Sequence, residues 1–150
     1  MSEKEIFEYL FELSQTSKDK EGSVAACLVR NGEVLFCAAS SDDSMFHAEE
    51  LIFQQAKEEW IDIEPSDVLY AIIEPCNKRN SGKTDCCSLI IISGIRNVVF
   101  AVPNSTLTKE TQKMLKEAGV NIRQTENKET IEKAKKLFND TMLDPEGYKL

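Results

Sequence analysis

Histidine occurs only once in this 150-residue sequence, which excludes a metal site built on several imidazoles. Neither a signal peptide nor a membrane span is expected. The opening stretch MSEKEIFEYLFELSQ has neither a basic start nor an unbroken apolar run, so a soluble, cytoplasmic protein is expected. No Pro- or Gly-rich linker divides the chain and nothing repeats at a fixed period. With 41% apolar residues, residues 1–150 are expected to bury one core and form one domain.

Positive charge is short as well. Eighteen Lys and Arg face 26 Asp and Glu, for a net charge of -8, and no basic run alternates with aromatics. A nucleic-acid partner is therefore disfavoured. The cysteines do not form an even set: there are five. Without a secretory signal, this favours reduced thiols open to metal over a disulfide framework.

What is present is a regular alternation of elements. Ile6, Phe7, Tyr9, Leu10 and Leu13 recur at helical spacing, predicting an amphipathic helix over 3–16 whose aromatics are packing groups. SVAACLV and VLFCAAS flank Arg30-Asn31-Gly32-Glu33, a hairpin signal in which Cys27 and Cys37 serve as small core hydrophobes. In HAEELIFQQAKEEW, the residues Ala48, Leu51, Ile52, Ala56 and Trp60 share one face, predicting a core-facing helix over 47–59. Pro65 and Ser66 break the chain before DVLYAII, a buried strand ending at Glu74-Pro75-Cys76.

CCSLIIISG reads as a buried helix closed by Gly94, with a strand as the alternative because Ile90, Ile91 and Ile92 are β-branched. NVVFAV predicts a strand, TKETQKMLKEAG a helix and VNIRQ a short strand. Asn127 then caps a last helix with Ile131, Ala134, Leu137, Phe138 and Met142 as its stripe. This order predicts an α/β sheet with helices on both faces, begun by one hairpin and continued by right-handed crossovers. The loops at its strand ends are the place to look for a site.

Two clusters fall at such ends. Taken alone, His47 reads as a hydrogen-bonded or surface residue, and Glu49 as an ordinary first-turn glutamate. The second cluster changes that reading, because Cys76 closes a strand and Cys86 opens a helix. Thiolate and imidazole are the donors zinc prefers, and three of them with one open position make a catalytic site. Helix starts suit the ligands, since unpaired amides and the positive dipole end favour a thiolate. Cys87 is a further thiol, so a closed, structural site of four donors is the competing reading. With an open position, zinc makes hydroxide available at neutral pH. Glu49, expected toward the mouth of the site, would then take a proton from the zinc-bound water and pass it to a ring nitrogen and a departing amine.

His47-Ala48-Glu49 followed by Pro75-Cys76 and Cys86 resembles the cytidine deaminase superfamily, whose zinc deaminases share H-x-E and P-C-x-x-C. Nine residues separate Cys76 from Cys86 here instead of two. That longer loop, with Gly82-Lys83-Thr84-Asp85-Cys86 after Glu74-Pro75-Cys76, is similar to the pyrimidine deaminase of riboflavin biosynthesis. The likeness continues through Ile90-Ile91-Ile92-Ser93-Gly94-Ile95, Leu115-Lys116-Glu117-Ala118-Gly119-Val120 and the last helix, spanning about residues 24–142.

The resemblance implies a three-layer α/β/α cytidine-deaminase-like fold with a five-stranded mixed sheet, and a Zn2+ cofactor. It selects Cys86 over Cys87 as ligand, because the family's ligand stands eight residues before the Gly of Ser-Gly-Ile, the distance from Cys86 to Gly94. It implies that Glu49 is catalytic, that His47, Cys76 and Cys86 are the metal ligands, and that Ala48 and Lys83 contact substrate, Lys83 through a phosphate.

One departure concerns the substrate: the riboflavin enzymes carry an Asn-Pro pair before the first strand, where this sequence reads Lys20-Glu21-Gly22-Ser23. No reductase region follows, so a free-standing deaminase is expected. The expected substrate is a small nucleobase, nucleoside or nucleotide, with the riboflavin intermediate, cytidine, deoxycytidylate and guanine all open. A homo-oligomer, dimer or tetramer, is implied by the superfamily. The reading from another class is a catalytically silent zinc-binding protein of the same fold.

Overall fold

A computed structural model describes residues 1–17, 25–41, 46–76, 84–103 and 108–141. Among these the elements run α1 (Glu3–Ser14), β1 (Ala25–Arg30), β2 (Glu33–Ala39), α2 (Ala48–Glu58), β3 (Val68–Ile73), α3 (Cys86–Ser93), β4 (Asn97–Val102), α4 (Thr108–Glu117), β5 (Asn121–Gln124) and α5 (Lys128–Thr141).

The hairpin forms where the sequence predicts it. Asn31 and Gly32 have φ of 52° and 78°, the pair of left-handed residues that a two-residue turn needs to match strand twist. β1 pairs antiparallel with β2 and with β3, while β3, β4 and β5 run parallel, giving the order β2-β1-β3-β4-β5.

Successive residues of each strand face opposite ways, so the sheet serves two cores. Ala26, Leu28, Leu69, Ala71, Val98 and Phe100 meet Ala48 and Ile52 of α2, Cys87 and Ile90 of α3, and Leu115 of α4. On the other face Cys27, Val29, Tyr70, Ile72 and Val99 meet Phe7 and Leu10 of α1 and Ala134 of α5. The result is the expected three-layer α/β/α arrangement around a mixed five-stranded sheet. No helix among the described residues is long and apolar enough to cross a membrane.

The two ambiguous stretches resolve for local reasons. CCSLIIISG is a helix: Asp85 accepts from the Ser88 amide at 2.9 Å at its start, and Gly94 closes it with φ 89°. Trp60 does not continue the buried face of α2 as its spacing suggests. The helix ends at Glu58, the Ile61 amide returns to the Ala56 carbonyl at 3.0 Å, and Trp60 takes a φ of 58°. That closure turns the indole outward, leaving it 92% exposed. In α5, Ala134 is buried and Ile131 and Leu137 are half-buried, with Asn127 Oδ1 accepting from the Thr130 amide at 3.0 Å. The placement of the Phe138 side chain and of Met142 lies outside the described residues.

One buried ion pair fixes the segment leading into β3. Arg30 donates through Nε and Nη2 to the two carboxylate oxygens of Asp67, each at 2.8 Å, and Asp67 also accepts from the Glu64 amide at 2.8 Å. The Asp67 side chain is fully buried. Hydrogen bonding from Arg30 holds its carboxyl below the ordinary aspartate value. A depressed folded value means that its contribution is complete above the unfolded value of about 3.9 and is lost as pH falls through the lower folded one. Asp67→Asn should therefore cost about 2 kcal/mol at neutral pH. Urea unfolding at pH 7 and at acid pH checks this, with the difference between wild type and variant shrinking in acid.

Candidate active site

Three separate elements deliver the expected donors to one point at the C-terminal end of β3. His47 is the N-cap residue of α2, in extended backbone, and its amide donates to Glu50 Oε1 at 3.0 Å. The chain before it is closed by Ser41, whose amide donates to the Phe46 carbonyl and whose Oγ accepts from the Phe46 amide, both at 2.9 Å. Cys76 lies just past β3. Cys86 is the first residue of α3, where Asp85 holds the cap through the Ser88 amide and hydroxyl at 2.9 and 2.8 Å.

His47 Nδ1 stands 3.3 Å from Cys86 Sγ and 3.6 Å from Cys76 Sγ, and the three donor atoms all lie within 4.8 Å of one another. Zinc bonds of about 2.3 Å to sulfur and about 2.0–2.1 Å to nitrogen, at tetrahedral angles, imply sulfur-to-nitrogen edges of about 3.5 Å. The spacing of the donors matches those edges.

The charges point the same way. Cys76 Sγ accepts from the Cys86 amide at 3.3 Å. Hydrogen bonding from the Cys86 thiol is the main influence lowering Cys76, helped by His47 and opposed by burial. Cys86 moves upward, because it donates to Cys76, is buried, and faces Glu49. Ionising Cys76 thus disfavours ionising Cys86. Glu49 is 5% exposed, and burial raises its carboxyl against the opposing pull of His47 and Cys86. Two thiols and a carboxylic acid crowded around one imidazole resist full ionisation. A divalent cation among them would relieve that conflict.

Cys87 does not join this group. Its amide donates to the Cys76 carbonyl at 2.9 Å and its thiol to the Pro75 carbonyl at 3.6 Å. Burial raises that thiol well above the ordinary cysteine value. It braces the turn carrying Cys76 from the core side.

Ala48 is wholly buried beside Ile52, so its methyl is a packing group and only its backbone is left to meet a ligand. Lys83, with Lys78, Arg79 and Gly82, lies outside the described residues. Glu49, the residue expected to face the site as proton carrier, is buried in contact with Cys86. The structure adds Glu50 and Asp85 as supports of the ligands, and places Cys87 as the core thiol expected once Cys86 is taken as the ligand. Asp85 had a readable signal as a cap residue before an apolar run, whereas the contact of Cys87 with Pro75 had none.

Residues 1–102 match the family described as cytidine and deoxycytidylate deaminase zinc-binding region, and the chain belongs to that family. A sequence search of curated proteins finds no match.

Among solved structures, the chain is similar to a Thermotoga maritima diaminohydroxyphosphoribosylaminopyrimidine deaminase/5-amino-6-(5-phosphoribosylamino)uracil reductase. The TM-score is 0.74 at 21% identity, over 89% of this chain and 39% of that one. The chain therefore spans well under half the length of that protein. It is similar to the dCMP deaminase of cyanophage S-TIM5 in complex with dCMP and dUMP, with a TM-score of 0.66 at 18% identity over 83% of this chain and 99% of that one. It is also similar to an Aspergillus oryzae Rib2 deaminase in complex with DARIPP, with a TM-score of 0.67 at 22% identity over 81% and 82% of the two chains. These likenesses show the cytidine-deaminase-like fold.

Proposed function

We propose that residues 1–150 form a zinc-dependent deaminase domain that releases ammonia from a small amino-pyrimidine nucleotide or nucleoside, resembling the pyrimidine deaminase of riboflavin biosynthesis. The observation that carries this reading is the convergence of His47 Nδ1, Cys76 Sγ and Cys86 Sγ within 4.8 Å, with Glu49 buried against Cys86. His47, Cys76 and Cys86 would hold the zinc and leave one position open. A zinc ion held by them would supply the nucleophile by making water acidic near neutral pH.

The protein's own part is positioning and proton movement. Glu49 takes one proton of the attacking water and delivers it to the ring nitrogen, then takes the remaining hydroxyl proton and delivers it to the amine as it leaves. Water adds at the ring carbon bearing the amine, ammonia departs, and a ring carbonyl remains. The setting of Glu49 supports this role, because its carboxyl is buried against Cys86 beside the three donors. Asp85 and Cys87 keep Cys86 and Cys76 in place.

The substrate class rests on the neighbours, which include proteins in complex with dCMP and dUMP and with DARIPP. Lys83 is assigned to the substrate's phosphate and the Ala48 backbone to the substrate on the family resemblance. Metal analysis of the purified protein, combined with ammonia release from a panel of aminated bases, nucleosides and nucleotides, tests the proposal. The expected result is about one zinc per chain and turnover of a pyrimidine nucleotide that stops on chelation. Bound zinc without turnover across the panel would point to the catalytically silent alternative.

A further inference from the structure

Two thiols stand apart from the site. Cys27 of β1 and Cys37 of β2 are direct partners in the antiparallel ladder, and both are free. Cys27 is wholly buried and Cys37 is packed half-buried against the same core, on the sheet face covered by α1 and α5. His47 and Cys86 begin helices that cover the opposite face. The Tyr9 hydroxyl of α1 lies 3.1 Å from Cys37 Sγ, and Tyr9 is 36% exposed.

Directly opposed residues of antiparallel strands have Cβ atoms about 4.5–5.5 Å apart, whereas a disulfide needs about 3.5–4.5 Å. Closing about 1 Å and rotating two side chains is enough. The strands are not free to slide away from this pairing. The Asn31-Gly32 turn and the register shift between Leu28 and Val29 fix the ladder on one side of it. Elsewhere among the described cysteines, Cys76 and Cys86 are committed to the site and Cys87 to the Pro75 carbonyl.

We propose that Cys27 and Cys37 are an oxidation site, cross-linked into a β1–β2 disulfide by hydroperoxides as the oxidant class. Cys37 is the entry point, since it alone of the two is partly exposed. Its sulfur attacks the peroxide, breaking the O–O bond, so that the thiol becomes a sulfenic acid and the hydroperoxide is reduced to the alcohol, or to water in the case of hydrogen peroxide. The Cys27 sulfur then displaces the hydroxyl of that sulfenic acid. The S–S bond forms, and the thiol proton of Cys27 leaves with the hydroxyl as water. Burial pushes the Cys27 thiol up to about 12, so it persists as a thiol in resting protein and reacts only once its partner is activated.

The test is treatment of the full chain with hydrogen peroxide, followed by alkylation and tryptic peptide mapping. The expected product has lost two hydrogens and links the peptides 21–30 and 31–57, a link reversed by dithiothreitol. In Cys37→Ser, a half-buried position that tolerates a hydroxyl, that linked pair should fall to background. The proposal is overturned if Cys27 remains alkylatable after unfolding while Cys37 proceeds to sulfinic or sulfonic acid. It is equally overturned if the only linked peptides are those carrying Cys76 and Cys86, or those of two separate molecules.

Discussion

Glu49→Gln should retain zinc and lose about 10²- to 10⁴-fold in kcat for ammonia release, equivalent to about 3–5 kcal/mol of barrier. The substitution keeps size and hydrogen-bonding shape at a position that is 5% exposed, so packing around α2 changes little. Under the proposed mechanism it removes the carboxyl that, among the described residues, stands beside the three donors to carry the proton. Glutamine also relieves the cost of a buried carboxyl whose protonation is favoured by desolvation. In the metal-free protein the variant should therefore be at least as stable as wild type, and with zinc bound it should be inactive. Metal analysis, thermal unfolding and an ammonia assay on the same preparation check all three parts. Activity within about tenfold of wild type would remove Glu49 from the mechanism.

Adjacent cysteines should behave in opposite ways. Cys86→Ala is expected to weaken zinc binding by more than about 100-fold, since losing an outer support of a ligand already costs about 10- to 100-fold and here a donor itself is removed. Cys87→Ala should keep the metal and cost about 1 kcal/mol of stability, because its thiol lies in the core and donates to the Pro75 carbonyl. Metal titration against a chromogenic chelator, run on both variants, reads the difference. A closed four-donor site requires the opposite outcome, with Cys87→Ala also losing the metal. The geometry argues against it, because the donor group contains Cys86 and not Cys87.

Much of the molecule was legible because several of its local signals have a single physical meaning. Asn31-Gly32 between two apolar runs allows little except a tight hairpin. The alternation of short apolar runs with amphipathic stretches left an α/β sheet as the economical solution. Legibility failed where partner atoms decide the outcome. The all-apolar stretch Ile90 to Ile92 carries no period, so its helix is settled by Asp85 and Gly94 at the ends. Trp60 sits on the correct face by spacing, yet the backbone closes the helix before it.

At the site, the residue types of His47, Cys76 and Cys86 pointed to zinc, but their convergence depends on three elements docking at one sheet end. Taken alone, Glu49 read as an ordinary first-turn glutamate, and only its place beside the ligand pattern marked it as the proton carrier; nothing local reveals that it is buried against Cys86. The Cys27–Cys37 pairing was hidden for a similar reason. Two cysteines in neighbouring strands become opposed only once turn and bulge set the register.

The placement of the three donors also makes the site a gauge of the whole fold. His47 and Cys86 are 39 residues apart in the chain, and Cys76 lies 29 from one and 10 from the other. An unfolded chain holds no such constellation, so a cation captured there is captured by the native state alone. Its binding energy becomes cohesion between α2, α3 and the end of β3. Each tenfold rise in free metal above the dissociation constant adds about 1.4 kcal/mol to stability. Metal supply would then set how long this acidic domain survives heat or proteolysis, apart from any chemistry it performs.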